Sequence, residues 1–320
     1  MRRLIAAQWI RIRRHWLGRM LLILLLAVLA VQLDGRVDRL AFLNERIQAA
    51  EENRLDDAMV AMFIESYRVE AEALQENLSF PSVIGYGVRL ATDFGWFFLV
   101  ALVAVVGGED CKRGTLRPLL ARGAGRGRYL AAGFLSLWLA SAVGVAAVTL
   151  LSAALGPGLH AQVSDAPLAL AGLGEALLGA FRVWLAGAAF IAATLFWAVL
   201  ARRPGPALGV SIVLQFIGFG LGTMLPFVAL TGSLMSRLPA ALTALIRLHS
   251  ITISYGADIF LHWGIPIVKP AGAVGAIVMA DSSMLPVSPW RALAFLLGYT
   301  ALFLAWTAWI LHRRDVTHQT

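Results

Sequence analysis

The sequence predicts an all-α integral membrane protein with about six transmembrane helices, and three observations support this fold class. Hydrophobic residues make up 59% of the chain and charged residues only 14%, whereas a soluble domain is about 25% charged. The apolar residues are gathered in blocks long enough to cross a bilayer, rather than spread with the periodicity of half-buried helices or strands. Basic residues collect at the ends of these blocks, which is typical of membrane proteins.

The first sixteen residues predict an amphipathic helix that lies in the headgroup plane. On a helical projection Leu4, Trp9 and Ile12 fall within one arc, and Arg3 and Arg11 fall opposite it. The alternative is an ordinary charged leader to the first span.

We treat residues 1–320 as one transmembrane domain that includes this interfacial helix at residues 1–16. The six predicted spans are 17–33, 83–106, 129–155, 177–200, 207–230 and 290–311. We expect Gly156-Pro157-Gly158 to stop the third span and residues 202–206 to form a turn.

Two longer segments are expected outside the membrane. Residues 34–82 carry eleven acidic residues against five arginines, and apolar positions at helical spacing predict two amphipathic helices there, closed by Phe80-Pro81. Residues 231–289 are interrupted by five prolines, and their apolar pieces are too short to span. Short re-entrant or surface helices fit this segment, because backbone at membrane depth must be covered by protein.

The distribution of basic residues predicts the topology. With six spans, the leader, the loop 109–128, the turn 201–206 and the tail lie on one side, and together they hold sixteen basic residues. The opposite side holds the acidic segment 34–82 and a loop with only three basic residues. Both termini are therefore predicted to be cytoplasmic.

The loop between the second and third spans carries the most informative pattern. It predicts a short cytoplasmic helix that Thr115 caps and Gly123 ends, with Leu116, Leu119 and Leu120 along one edge. An apolar edge on a basic cytoplasmic loop favours docking of a partner protein. A basic loop that serves only topology is the alternative.

These residues resemble the ABC-2 type permease family, whose members show E-x4-G-T-L-R-x-L-L-x-R-G-x-x-R-x-R at this junction. The matching positions in this chain are Glu109, Gly114, Thr115, Leu116, Arg117, Leu119, Leu120, Arg122, Gly123, Arg126 and Arg128. The layout is also similar, from the interfacial helix to the broken outer segment before the last span. The chain departs from the family where Ala131 and its neighbours replace a common basic residue.

The resemblance implies a permease subunit of an ATP-binding cassette exporter. The loop would be the coupling helix, which sits in a groove of a separate ATPase subunit present in two copies. The permease would be a homodimer or heterodimer in a prokaryotic inner or plasma membrane, surrounded by lipid, and would export a lipid, glycan, peptide or drug-like molecule. ATP and magnesium would belong to the partner, since no G-x-x-x-x-G-K-[ST] occurs in this sequence.

Other residues are weighed for chemistry or cargo contact. Two polar pairs at the outer ends of spans, Arg89 with Asp93 and Glu175 with Arg182, predict ion pairs at the membrane interface, with a pathway role as the alternative. No catalytic constellation, metal-ligand spacing or cofactor motif is found, and the basic charge indicates a membrane rather than nucleic acid. A non-transporting sensor or assembly scaffold with the same fold remains the alternative function.

Overall fold

The computed structural model describes residues 2–52, 58–112, 125–164, 166–218, 253, 257 and 289–313. The regular secondary structure of these residues is entirely helical. We number them in chain order. They are α1 (Arg2–Arg14), α2 (Trp16–Glu52), α3 (Ala58–Leu78), α4 (Ser82–Lys112), α5 (Arg126–Val163), α6 (Leu173–Ala201), α7 (Pro204–Gly218) and α8 (Pro289–Arg313).

Five of these helices, α2, α4, α5, α6 and α8, are long and apolar enough to cross a membrane. Helix α7 is apolar but shorter over its described residues. The predicted fifth span at 207–230 is therefore described only as far as Gly218. The predicted short helices within 231–289 lie outside the described residues, apart from the isolated positions 253 and 257 and the first residue of α8.

The polar segment after the first span differs from the prediction. Instead of a separate amphipathic helix after residue 33, α2 continues unbroken to Glu52. Its polar half packs on α3, where Leu40 and Leu43 join Leu74 and Leu78 in a buried core. The predicted amphipathic spacing is present, but residues 33–52 contain no proline and the single glycine, Gly35, costs a helix only about 1 kcal/mol, so the helix does not end at the membrane boundary.

The predicted stop of the third span at Gly156-Pro157-Gly158 is wrong. Helix α5 runs through these residues to Val163. Gly156 lies against Phe80 and Val83, each of which has an atom 3.0 Å from where a Cβ would be. Tertiary packing therefore overrides the local preference of proline and glycine to end a helix.

Helix α6 forms the centre of the bundle and packs most extensively on α4 and α8. Its buried residues are mostly alanine and glycine, which let neighbouring helices approach closely. A pair of tryptophans joins it to α5: the rings of Trp138 and Trp184 stack 4.2 Å apart. The Trp138 Nε1–H donates to the Trp184 carbonyl at 3.2 Å, and the Trp184 Nε1–H donates back at 2.9 Å.

The turn after α6 is shorter than the predicted 202–206. Arg202 adopts a left-handed conformation with φ of 54° and ends α6. Pro204 then begins α7, in the first helical position where its missing N–H costs nothing.

Candidate partner-docking face

The coupling-helix motif lies between two described helix ends. Helix α4 extends through Glu109 to Lys112, and α5 begins at Arg126. The central motif residues lie outside the described residues: Gly114, Thr115, Leu116, Arg117, Leu119, Leu120, Arg122 and Gly123. What the structure places is the root of the loop, formed by Glu109 on one side and by Arg126 and Arg128 on the other.

Glu109 connects α4 to the break between α1 and α2. His15, the single residue that separates those two helices, lies with its Nε2 3.6 Å from the Glu109 Oε2. One turn earlier on each helix, Arg11 donates from NH2 to the carbonyl of Val106 at 3.3 Å. The root of the loop is thus tied to the amino-terminal helix through two polar contacts.

The amino-terminal helix is itself docked on the bundle. Ile12 is buried with Val103, Val106 and Leu137 of α4 and α5. The Ser136 hydroxyl donates to the Ala132 carbonyl of its own helix at 2.7 Å and also lies 3.4 Å from the Ile5 carbonyl, so the start of α1 lies against α5. The amphipathic face that the sequence predicts therefore contacts protein along at least part of its length.

Arg126 joins the start of α5 to the end of α8. Its NH1 donates to the carbonyl of His312 at 2.9 Å. Carbonyls in the last turn of a helix lack intrahelical partners, and a cation there also complements the helix dipole. Arg128 is exposed at the same helix start.

Two glycines immediately before Glu109 allow close packing on the next helices. A Cβ on Gly108 would lie 2.6 Å from the Pro204 Cα and 2.7 Å from the Pro204 N. A Cβ on Gly107 would lie 3.0 Å from the Leu195 side chain. Helix α4 can therefore contact the turn between α6 and α7 only because positions 107 and 108 are glycines.

Sequence reasoning missed His15, Pro204 and the Gly107-Gly108 pair as parts of this face. The glycine pair directly before the motif was the available signal, since adjacent glycines inside a helix usually have a packing reason. The contacts of His15 and Pro204 join residues far apart in sequence, which spacing does not reveal.

The two predicted polar pairs lie at the other end of the bundle. Arg89 and Asp93 both act electrostatically on Tyr86, as do Arg36 of α2 and Glu70 of α3. Glu70 also forms a bidentate ion pair with Arg39, with distances of 3.1 Å and 3.2 Å. The structure thus collects charges from three helices around the first pair.

The second pair lies on one helix. Glu175 occupies the first turn of α6, and its carboxylate acts electrostatically on Arg182. Over the described part of the chain, no group of three or more His, Cys, Asp or Glu is placed to hold a metal ion.

The five long apolar helices define a multi-pass membrane protein. The chain matches the model of the family described as "ABC-2 family transporter protein" over residues 6–316. Since this match covers nearly the whole chain, the protein belongs to the ABC-2 transporter family, whose members are membrane permeases of ABC transporters and not the ATPases themselves. No curated protein matches the sequence.

Proposed function

We propose that this chain is the membrane-spanning half of an ATP-driven exporter, and that it works as a dimer with two copies of a separate ATPase subunit. The loop 109–128 is the coupling element, and it lies with both termini on the cytoplasmic face of a prokaryotic membrane. The single observation that carries the proposal is the placement of the loop's root. Glu109 and Arg126, which flank the loop, are each tied to a different helix end.

These contacts suggest how movement of the loop would reach the membrane. Displacement of Glu109 pulls on His15, and hence on the junction of α1 and α2. Displacement of the end of α4 presses on Pro204, between α6 and α7. Displacement of Arg126 acts on the last turn of α8. One push from an ATPase would therefore reach five of the described helices, α1, α2, α6, α7 and α8, at once.

The cargo is an amphipathic molecule of the lipid, glycan, peptide or drug-like kind. Most of the described membrane surface is apolar, and the charges collected around Tyr86 supply polar contacts near the outer end of the bundle. A pathway for such a molecule needs only suitable shape and a few polar groups.

The partner contact can be tested at the apolar edge of the loop. Replacing Leu116 and Leu120 by Asp should release the ATPase, because buried apolar anchors dominate such interfaces and each contributes more than about 1–2 kcal/mol. The measurement is co-purification of a tagged permease with its ATPase from cells that express both subunits. The amount of permease inserted in the membrane serves as the folding control.

Arg117→Ala is the matched comparison on the same loop. A rim charge contributes less than a buried anchor and is screened by salt, so this variant should keep most of the ATPase at low salt and lose more at high salt. Full retention of the ATPase by the double Asp variant would overturn the coupling assignment. A wild-type complex that retains its ATPase but exports none of the candidate cargoes would instead favour a sensor or scaffold.

A further inference from the structure

An apolar groove of about 300 Å³ runs along the inside of the bundle, between α2, α4, α5 and α6, with α1 at one end. This volume is at the lower end of the range of about 300–1,000 Å³ that ligand pockets cover. One glycine from each of the four long helices lines it. These are Gly18, Gly95, Gly144 and Gly187. The groove is therefore a property of how four helices meet, and not a defect in the packing of one side chain.

The groove is long enough to hold an acyl chain from one leaflet. Along α4 its lining runs from Val88 to Leu102, which is about 21 Å at the rise of an α-helix. Half of a bilayer's hydrocarbon core is about 15 Å thick. Val143 on its rim is 49% exposed, so the groove opens to the outside of the bundle at this point.

Positive charge is concentrated at one end of this groove. Arg13 and Arg19 line its mouth, beside Trp9. The Arg19 Nε donates to the Arg13 carbonyl at 3.1 Å, which holds this side chain next to α1. Among the described residues, neither guanidinium is paired with a carboxylate, and both residues are exposed. Two guanidinium groups without a carboxylate partner, above an apolar groove, complement a phosphate with an acyl chain attached.

We propose that this groove binds an anionic phospholipid, with one acyl chain between α2, α4 and α5 and its phosphate on Arg13 and Arg19. The ligand is a resident lipid of the leaflet on the α1 side, rather than cargo. It stabilises the angle between α1 and α2 at His15, next to Glu109 at the root of the loop. Each basic residue near the membrane surface attracts anionic lipid only modestly. Arg13 and Arg19 together are expected to favour an anionic over a neutral lipid by about twenty- to thirty-fold.

The test uses the full-length chain purified in a neutral detergent and supplied with equal amounts of phosphatidylglycerol and phosphatidylcholine. Native mass spectrometry counts the lipids that stay bound to each chain. We expect one phosphatidylglycerol per wild-type chain. Arg13→Gln with Arg19→Gln should lose the preference for phosphatidylglycerol, whereas Arg2→Gln with Arg3→Gln removes the same charge from α1 away from the groove and should keep it.

A second pair of variants tests the acyl site. Gly144→Leu places a side chain in the groove, where a Cβ meets no atom within 4 Å, so the fold tolerates it while the acyl chain is displaced. Gly158→Leu is the control on the same helix, at a position that is equally free and outside the groove. Both lipids should be lost from the first variant and kept by the second.

Three results would overturn the proposal. Equal binding of the two lipids by the wild type would show that the groove has no anion site. An equal loss of the preference for phosphatidylglycerol in the two double arginine variants would show that the preference comes from overall positive charge and not from Arg13 and Arg19. A change of oligomeric state in Gly144→Leu, measured by light scattering, would place a second copy of the chain in the groove instead. None of these measurements depends on transport, so they stand apart from the test of the coupling loop.

Discussion

Gly108 lies where the last turns of α4 meet the backbone of Pro204, and replacing it by alanine tests the arrangement of the whole partner-docking face. The added Cβ would lie 2.6 Å from the Pro204 Cα. Backbone atoms of a proline cannot rotate away as a side chain can, so the helix or the turn must move. Overpacking of this kind typically costs about 1–3 kcal/mol.

The gain in helix propensity partly offsets this cost. Replacing glycine by alanine inside a helix normally stabilises it by about 1 kcal/mol. Gly133→Ala on α5 is the matched control, because its Cβ would meet no atom within 4 Å. The free energies of unfolding of the two variants should therefore differ by about 1–3 kcal/mol, with Gly108→Ala the less stable. Gly107→Ala should fall between them, because its tightest contact, at 3.0 Å, is with the flexible Leu195 side chain, and the Ala198 Cβ lies at 3.4 Å.

Thermal unfolding in detergent, followed by the fluorescence of the ten tryptophans, measures this difference. A difference of 1 kcal/mol corresponds to about 2–4 °C in a domain of 150–250 residues, so a separation of several degrees is expected. Equal midpoints for Gly108→Ala and Gly133→Ala would refute the reasoning, since α4 would then not be held against the turn. In that case the proposed route from the loop to α6 and α7 would also fail.

Three further predictions concern sidedness, nucleotide chemistry and the outer end of the bundle. Cys111, the only cysteine in the sequence, should react with a membrane-impermeant maleimide in inverted vesicles, and labelling only in intact cells would reverse the topology. The purified chain should show no ATP turnover, because it has no phosphate loop; turnover in a preparation free of other ATPases would contradict this. His160→Ala should lower the thermal midpoint by several degrees. The substitution leaves two backbone groups without their partner: the Phe80 N–H, 3.2 Å from the His160 Nδ1, and the Ala166 carbonyl, 2.7 Å from its Nε2. Each unpaired group costs about 1–3 kcal/mol. His312→Ala, at an exposed histidine, is the control.

The positions of the long helices were accessible from sequence because they depend on local composition. A block of apolar residues long enough to cross a bilayer has few alternatives to a helix, since lipid offers no hydrogen-bond partners to the backbone. The block at 177–200 thus lies within α6, and the block at 290–311 within α8.

Helix ends were less accessible because tertiary contacts decide them. Proline and glycine at 156–158 indicated a stop, but α5 continues where Gly156 packs under Phe80 and His160 is fixed by two hydrogen bonds. Amphipathic spacing after residue 33 indicated a new helix, yet spacing alone does not distinguish a new helix from a continuation of the first. Only the partner on the other side, here α3, fixes how far a helix extends.

The candidate site divides in the same way. The pattern from Glu109 to Arg128 could be recognised in a single sequence, because it is made of neighbouring residues; its central part, which is predicted to form a docking helix, lies outside the described residues. Its connections could not, since His15 lies far from Glu109 in sequence and Arg126 is bonded to a carbonyl of α8. A backbone carbonyl gives no sequence signal at all.

The unbroken course of α2 has a mechanical consequence. Its 37 residues span about 55 Å, and a hydrocarbon core of about 30 Å leaves about 25 Å standing beyond it. This outer part is stiffened by α3, through the Arg39–Glu70 ion pair and the leucines beneath it. A tilt of the buried half by about 10° would swing the far tip sideways by about 4 Å. A small tilt of α2 within the bilayer would therefore become a larger displacement of the acidic segment beyond it.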